Sequence, residues 1–157
     1  MEFRINDIGT VHCSENDFYI EVKPEYRQSL EGLDGFQYIQ VLYWFDKFDN
    51  DKFRSTTTLK KPYVKGPDTI GIFATRSPMR PNPIAVTPCY VTYIDKENGI
   101  IGLGWCDAFD NTPVLDIKPY TPSIDRVENP KVPDWCRHWP KCVEASGEFD
   151  WETEFNF

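Results

Sequence analysis

YVTYIDKENGIIGLGW, residues 90–105, reads as a β-hairpin. Two runs of β-branched and aromatic residues, Tyr90–Ile94 and Ile100–Trp105, flank Asp95–Gly99. The Asn98-Gly99 pair supplies the positive-φ residues that a tight hairpin turn needs. Outward from it, short β-prone runs recur between turn signals: Ile8–Val11, Phe18–Val22, Tyr38–Phe45, Thr69–Phe73, Cys89–Ile94 and Val114–Ile117. One helix is predicted near the front, with Pro24 in its first turn, Leu30 and Leu33 as apolar contacts, and Gly32 or Gly35 ending it. Many strands, little helix and thirteen prolines predict an all-β fold, a small single-domain barrel with one or two short helices and an irregular C-terminal segment.

A doubly wound nucleotide-binding fold is excluded, because it needs a Gly-rich turn that enters a helix. The most loaded loop here, Gly71–Val86, carries prolines at 78, 81 and 83. Proline restricts the residue before it to extended backbone, so a stiff loop is expected over the whole of 71–86.

The 157 residues suit one domain. That domain is expected to span 1–143, including a Pro/Trp-rich wrap at about 123–143, with a partly mobile acidic tail over 144–157. No basic stretch followed by an apolar run opens the chain, and no run is long enough for a membrane helix, so a cytoplasmic protein without a membrane partner is expected. Five cysteines, at 13, 89, 106, 136 and 142, are an odd count best read as reduced thiols. The string Cys136-x-His138-x₃-Cys142 lacks a paired C-x₂-C and a fourth ligand; buried thiols and a packed His, not a metal, are expected there.

Net charge is −8, which disfavours non-specific nucleic-acid binding. The distribution is uneven. Glu144 to the end carries −5, whereas Lys52–Arg80 holds seven bases (Lys52, Arg54, Lys60, Lys61, Lys65, Arg76, Arg80) against Asp68 alone. That run reads either as a solvated basic loop or as a phosphate-facing patch. Within it, Arg76 and Arg80 suit bidentate contacts to carboxylate or phosphate, or equally bonds to the loop's own carbonyls. Asn82 suits an adenine edge or the loop itself. Asp107, Asp110 and Asp116 follow. Asp110 reads as a turn former, and Asp116, in an apolar strand, needs Lys118 or a loop arginine as partner.

GIFATRSPMRPNPIAV (71–86) followed by DNTPVLDIKPY (110–120), with EGLDGFQYIQVLYWFD (31–46) ahead of them, resembles the TsaA-like (YaeB/TrmO) family. The resemblance covers Ile8 to Tyr120. It implies a small β-barrel that binds S-adenosyl-L-methionine, usually as a homodimer. It also implies a tRNA methyltransferase acting on N6 of a modified adenosine beside the anticodon. Carried over, it implies cofactor contacts at Asp46, Arg76, Ser77, Asp110, Asn111, Thr112 and Pro113. Arg80 and Asn82 fall in the same motif, and with Lys60 and Lys61 they are the expected RNA contacts. Asn111 stands where Gly is common in the family, and Asn also accepts positive φ. The exocyclic amine must lose a proton, for which Asp116 and Asp110 are the candidate acceptors. Trp135–Pro140 is expected to close the pocket. A cofactor-binding regulatory module without methyl transfer, or a methyltransferase acting on a small molecule, stays open beside this reading.

Overall fold

A computed structural model describes residues 3–15 and 17–157; Met1 and Glu2, which open the expected domain, lie outside the described residues, as does Asn16. Six strands close into an antiparallel barrel: β1 (Gly9–Cys13), β2 (Phe18–Val22), β3 (Tyr38–Trp44), β6 (Ile84–Asp95), β7 (Ile100–Leu103) and β8 (Thr112–Pro119). Their order around the barrel is β1-β2-β7-β6-β3-β8, and β8 pairs back onto β1. Two short strands, β4 (Thr58–Lys60) and β5 (Thr69–Gly71), form a separate ribbon. The all-β barrel expectation is met. Among the described residues no helix is long and apolar enough to cross a membrane.

Alternation with period two sets the interior. In β3, Ile39, Val41 and Tyr43 are buried while Tyr38, Gln40, Leu42 and Trp44 are less so. Val11, Ile20, Ile101 and Val114 complete the wall of a single core. The predicted front helix forms as a 3-10 helix, Pro24–Leu30. It buries Leu30, and Leu33 follows it into the core, with Gly32 and Gly35 at φ +80 and +87.

Several expectations are corrected. β6 begins at Ile84, so the stiff loop ends at Pro83, where the Phe45 N–H donates to the Pro83 carbonyl. The 90–105 hairpin forms, but its loop spans four residues; only Gly99 takes positive φ, and the Asp95 carboxylate accepts from the Asn98 N–H and side chain. Strand β4 carries no alternation long enough to be read from sequence. The acidic end is not loose: Glu154 is 5% exposed and Phe155 bridges to Tyr63. Its charges sit on a segment that aromatic burial holds down.

Candidate active site

Strand ends decide where the site lies. The start of β2, the end of β3, the segment after β7 and the start of β8 converge at one mouth of the barrel and enclose about 400 Å³. Phe18, Phe45, Phe48, Trp105 and Phe109 give that cavity aromatic walls, and Asp46, Lys47, Arg76, Asp107 and Thr112 give it polar groups. Apolar walls with a few convergent polar groups are the composition of a small-molecule site.

Each wall has a local cause. After Trp44 the chain turns through a 3-10 helix, Asp46–Phe48. Asp49 pins this turn by accepting from the Trp44 indole at 2.9 Å and from Arg54, whose guanidinium also lies over the Trp44 ring. The Arg54 and Trp44 bonds hold the Asp49 carboxyl below its usual range. Arg54 further donates to the Pro81 carbonyl, tying this turn to the Pro-rich loop. Within that loop, the Thr75 hydroxyl accepts from Ser77 N–H at 3.2 Å, and the Ser77 hydroxyl accepts from Met79 N–H at 3.3 Å.

Asp46 is the unusual group. Its Oδ2 pairs with Lys47 at 2.9 Å, yet its buried Oδ1 has no partner among the described residues. A buried carboxylate oxygen without a donor is costly unless something fills the role. Asp107 is an exposed residue at the cavity wall, and desolvation by the neighbouring wall raises its carboxyl above the usual range. Its backbone carbonyl accepts from the Tyr43 hydroxyl, which also meets the Thr87 hydroxyl at 3.1 Å. Cys106 is a buried free thiol; its neighbour Cys89 and burial push its thiol up and leave it inert as a nucleophile.

The expected site residues separate into groups. Asp46, Arg76 and Thr112 meet in the cavity. Ser77 and Asn82 serve the loop, the latter through its carbonyl on Ile84 N–H. Arg76 and Arg80 each give one donor to a carbonyl, of Val86 at 3.2 Å and Thr75 at 3.4 Å. Asp110 builds the turn before β8: it accepts from Cys13 N–H at 3.1 Å and from the Asn111 amide at 2.7 Å. Asn111 adopts φ +65, and Pro113 pairs with Thr10. Lys60 is exposed at the end of β4, while the Lys61 ammonium bonds the Gly66 carbonyl and lies 3.5 Å from Asp68.

Asp116 is not brought to this cavity. A bulge in β8 shifts its pairing so that Asp116 faces Leu42 and Ile117 faces inward Val41. Asp116 pairs with Lys118 at 2.7 Å and borders a second cavity at the opposite mouth. Asp107 is the carboxylate the sequence reading passed over; its only signal was its place among three acids after β7. Trp135–Pro140 does not contribute to the cavity lining among the described residues. Cys136 is buried, but Cys142 is exposed and His138 faces Glu154, so the three do not converge.

The model of the tRNA-methyltransferase O N-terminal domain matches residues 8–126. The chain belongs to this family. Among its relatives in the family is an S-adenosyl-L-methionine-binding protein of Archaeoglobus fulgidus, 39% identical over 108 residues, 69% of this chain and 72% of that protein. A tRNA (adenine(37)-N6)-methyltransferase of Escherichia coli is 32% identical over 116 residues, 73% of this chain and 48% of the enzyme. The Mus musculus enzyme so named is 38% identical over 104 residues, 66% of this chain and 23% of its own length. This chain therefore spans under half of those two enzymes. The crystal structure of TrmO from Pseudomonas aeruginosa superposes with a TM-score of 0.62 at 25% identity, over 83% of this chain and 62% of that one. The family match ends at Arg126, so residues 127–157 lie outside the matched span.

Proposed function

We propose that this protein is an S-adenosyl-L-methionine-dependent methyltransferase that acts on N6 of a modified adenosine beside a tRNA anticodon. The observation that carries the reading is the aromatic cavity into which family-motif residues bring an unpartnered carboxylate oxygen, on Asp46, and a guanidinium, on Arg76. The cofactor's chemistry fits these groups. Its adenine suits aromatic walls, its ammonium and sulfonium suit carboxylates, and its own carboxylate suits Arg76 and Lys47. When bound, the cofactor supplies an electrophilic methyl group.

The chain's residues then have distinct tasks. Asp46 holds a cation through Oδ1, and Thr112 lines the floor. Asp110, Asn111 and Pro113 shape the wall through their turn, and Ser77 stiffens the loop. Asp107 takes the role first expected of Asp116 or Asp110: it accepts the proton that the exocyclic amine loses. A carboxyl whose value is raised above the ordinary one is a stronger base than an unshifted carboxylate. Lys60, Lys61, Arg80 and Asn82 flank the loop as RNA contacts, which phosphate binding requires in an acidic protein. A homodimer is proposed through the outer face of β6, where Ile84, Val86 and Tyr90 are exposed; a cytoplasmic location follows from a tRNA substrate.

The test is incubation with labelled S-adenosyl-L-methionine and total tRNA from a strain lacking the protein. Label recovered in an N6-methylated adenosine nucleoside supports the reading. Cofactor binding without transfer to tRNA overturns it in favour of a binding module, a reading favoured by similarity to the archaeal S-adenosyl-L-methionine-binding protein.

A further inference from the structure

Between β7 and β8 the chain lines the cavity with five consecutive residues, Trp105 to Phe109, whose side chains alternate in burial. Cys106 is buried and Ala108 packs against the core. Trp105 and Phe109 are 56% and 59% exposed, and Asp107 is exposed between them. One face of the segment therefore reads aromatic, carboxylate, aromatic.

The backbone under this face is pinned from the core side. The Gly104 N–H donates to the Tyr90 carbonyl at 2.9 Å, the Tyr43 hydroxyl to the Asp107 carbonyl, and the Cys13 thiol to the Ala108 carbonyl at 3.3 Å. The Thr112 N–H closes the segment by donating to the Phe109 carbonyl at 3.3 Å. Two exposed rings and the carboxylate between them are thus displayed on a fixed backbone, as a binding surface requires.

The rings of the cavity fall into two sets. Phe18, Phe45 and Phe48 are half-buried, and Phe45 meets Tyr43 and Phe48 edge-on at 5.6 and 6.3 Å. Phe109 extends this line outward, its plane within 19° of that of Phe48 at 6.4 Å. Large rings left mostly in water at the rim of a concave, partly polar site mark a surface that a ligand covers. A ligand that suits this face is flat, to lie on the rings, and carries a hydrogen-bond donor for the carboxylate set between them. A nucleobase with an exocyclic amine has both properties.

We propose that Trp105 and Phe109 form the acceptor subsite: they stack on an unpaired adenine of a single-stranded RNA loop and present its exocyclic amine to Asp107. The inference rests on the reading of the cavity as a methyltransferase site, with the half-buried Phe18, Phe45 and Phe48 left to the cofactor. An adenine within a duplex keeps its amine in the base pair, so the acceptor must be unpaired to reach this face. Stacking holds such a base without reading its neighbours.

The test uses the full chain and a synthetic anticodon stem-loop RNA with fluorescent 2-aminopurine in place of the adenine beside the anticodon. Stacking on the wild-type protein is expected to quench the probe. Trp105→Ala and Phe109→Leu, which remove a flat face, should each lose most of the quenching and weaken RNA binding by about tenfold. Trp105→Phe, which keeps a ring, should recover most of both. S-adenosyl-L-methionine affinity by calorimetry, and the unfolding midpoint of Trp105→Ala, should stay at the wild-type values. Phe157→Ala, which removes an exposed ring outside the cavity, should match the wild type throughout. Quenching that persists in Trp105→Ala and Phe109→Leu overturns the proposal. So does weakened cofactor affinity with quenching unchanged, which gives the rings to the cofactor, or a dimer that dissociates in Trp105→Ala, which puts that ring under a second copy. Methyl transfer to tRNA is measured separately. A wild type that transfers no methyl yet quenches the probe through Trp105 refutes the methyltransferase reading and leaves the base-stacking face standing. Transfer by both variants at the wild-type KM refutes the stacking face alone.

Discussion

Replacing Tyr43 with Phe isolates the link between the barrel core and the cavity. Tyr43 is 1% exposed, and its ring packs edge-on against Phe45 at 5.6 Å, contacts that Phe preserves. Only the hydroxyl is lost, and with it two partners: the Thr87 hydroxyl and the Asp107 carbonyl. Each ordinary buried hydrogen bond contributes about 1 kcal/mol, so the change should cost about 2 kcal/mol in all. For a chain of this length that corresponds to a fall in Tm of about 4–8 °C. Burial raises the phenol's pKa, so it stays a donor across the working range and the cost should not vary between neutral and mildly alkaline pH. The assay is urea denaturation followed by tryptophan fluorescence, with Tyr93→Phe as the control. Tyr93 is 51% exposed, and its hydroxyl loss should stay within about 0.5 kcal/mol. Because the Asp107 carbonyl loses its tether, cofactor binding should weaken alongside stability. If Tyr43→Phe proves as stable as the control, the hydroxyl does not hold the Asp107 segment, and the account of how the core positions this wall is wrong.

Other consequences are read by separate measurements. Asp107→Asn should abolish transfer while retaining cofactor binding; in the wild type, the rate should drop as acid protonates Asp107, on a limb above the ordinary carboxylate value of 3.8 because desolvation by the cavity wall raises it. The same raised value means the ionised form is disfavoured by folding, so Asp107→Asn should not lower Tm at neutral pH, which a thermal melt checks. Asp46→Asn should weaken cofactor affinity by about tenfold through loss of a charge-assisted contact, measured by calorimetry. The bonds of Trp139 and then His138 lower the Glu154 carboxyl below its usual 4.5. Its stabilisation is therefore complete above 4.5 and lost as pH falls through the lower folded value, a release that tryptophan fluorescence should report and Glu154→Gln should flatten. Gly99→Ala should cost about 2 kcal/mol in denaturant titrations, since φ is +74 and a Cβ would sit 2.8 Å from the Val22 carbonyl oxygen.

Much of the barrel was legible because its signals are local. Alternation in β3, the Gly99 turn, the start of the front helix at Pro24 and the tolerance of Asn111 for positive φ all act within a few residues. The motif at 71–86 and 110–120 likewise carried the family, and three of its expected cofactor residues meet in one cavity. Strand β4 escaped notice because three residues show no period.

Which carboxylate faces the cavity was decided only by closure of the barrel. Asp107, Asp110 and Asp116 look alike in sequence, one turn and one strand apart. Register separates them: a bulge at Leu115 turns Asp116 toward the other mouth, a bond to Cys13, 97 residues away, commits Asp110 to the turn, and Asp107 is left facing the cavity. The basic run divides in the same way, with Arg54 spent on Asp49 and Lys65 drawn to Glu154. Sequence by itself determined the strands and the loop that carry the site, since backbone sterics and side-chain period are properties of neighbours. Tertiary structure alone decided which charges remain free there, because a charge is committed by whatever the closed barrel brings within a few ångströms of it.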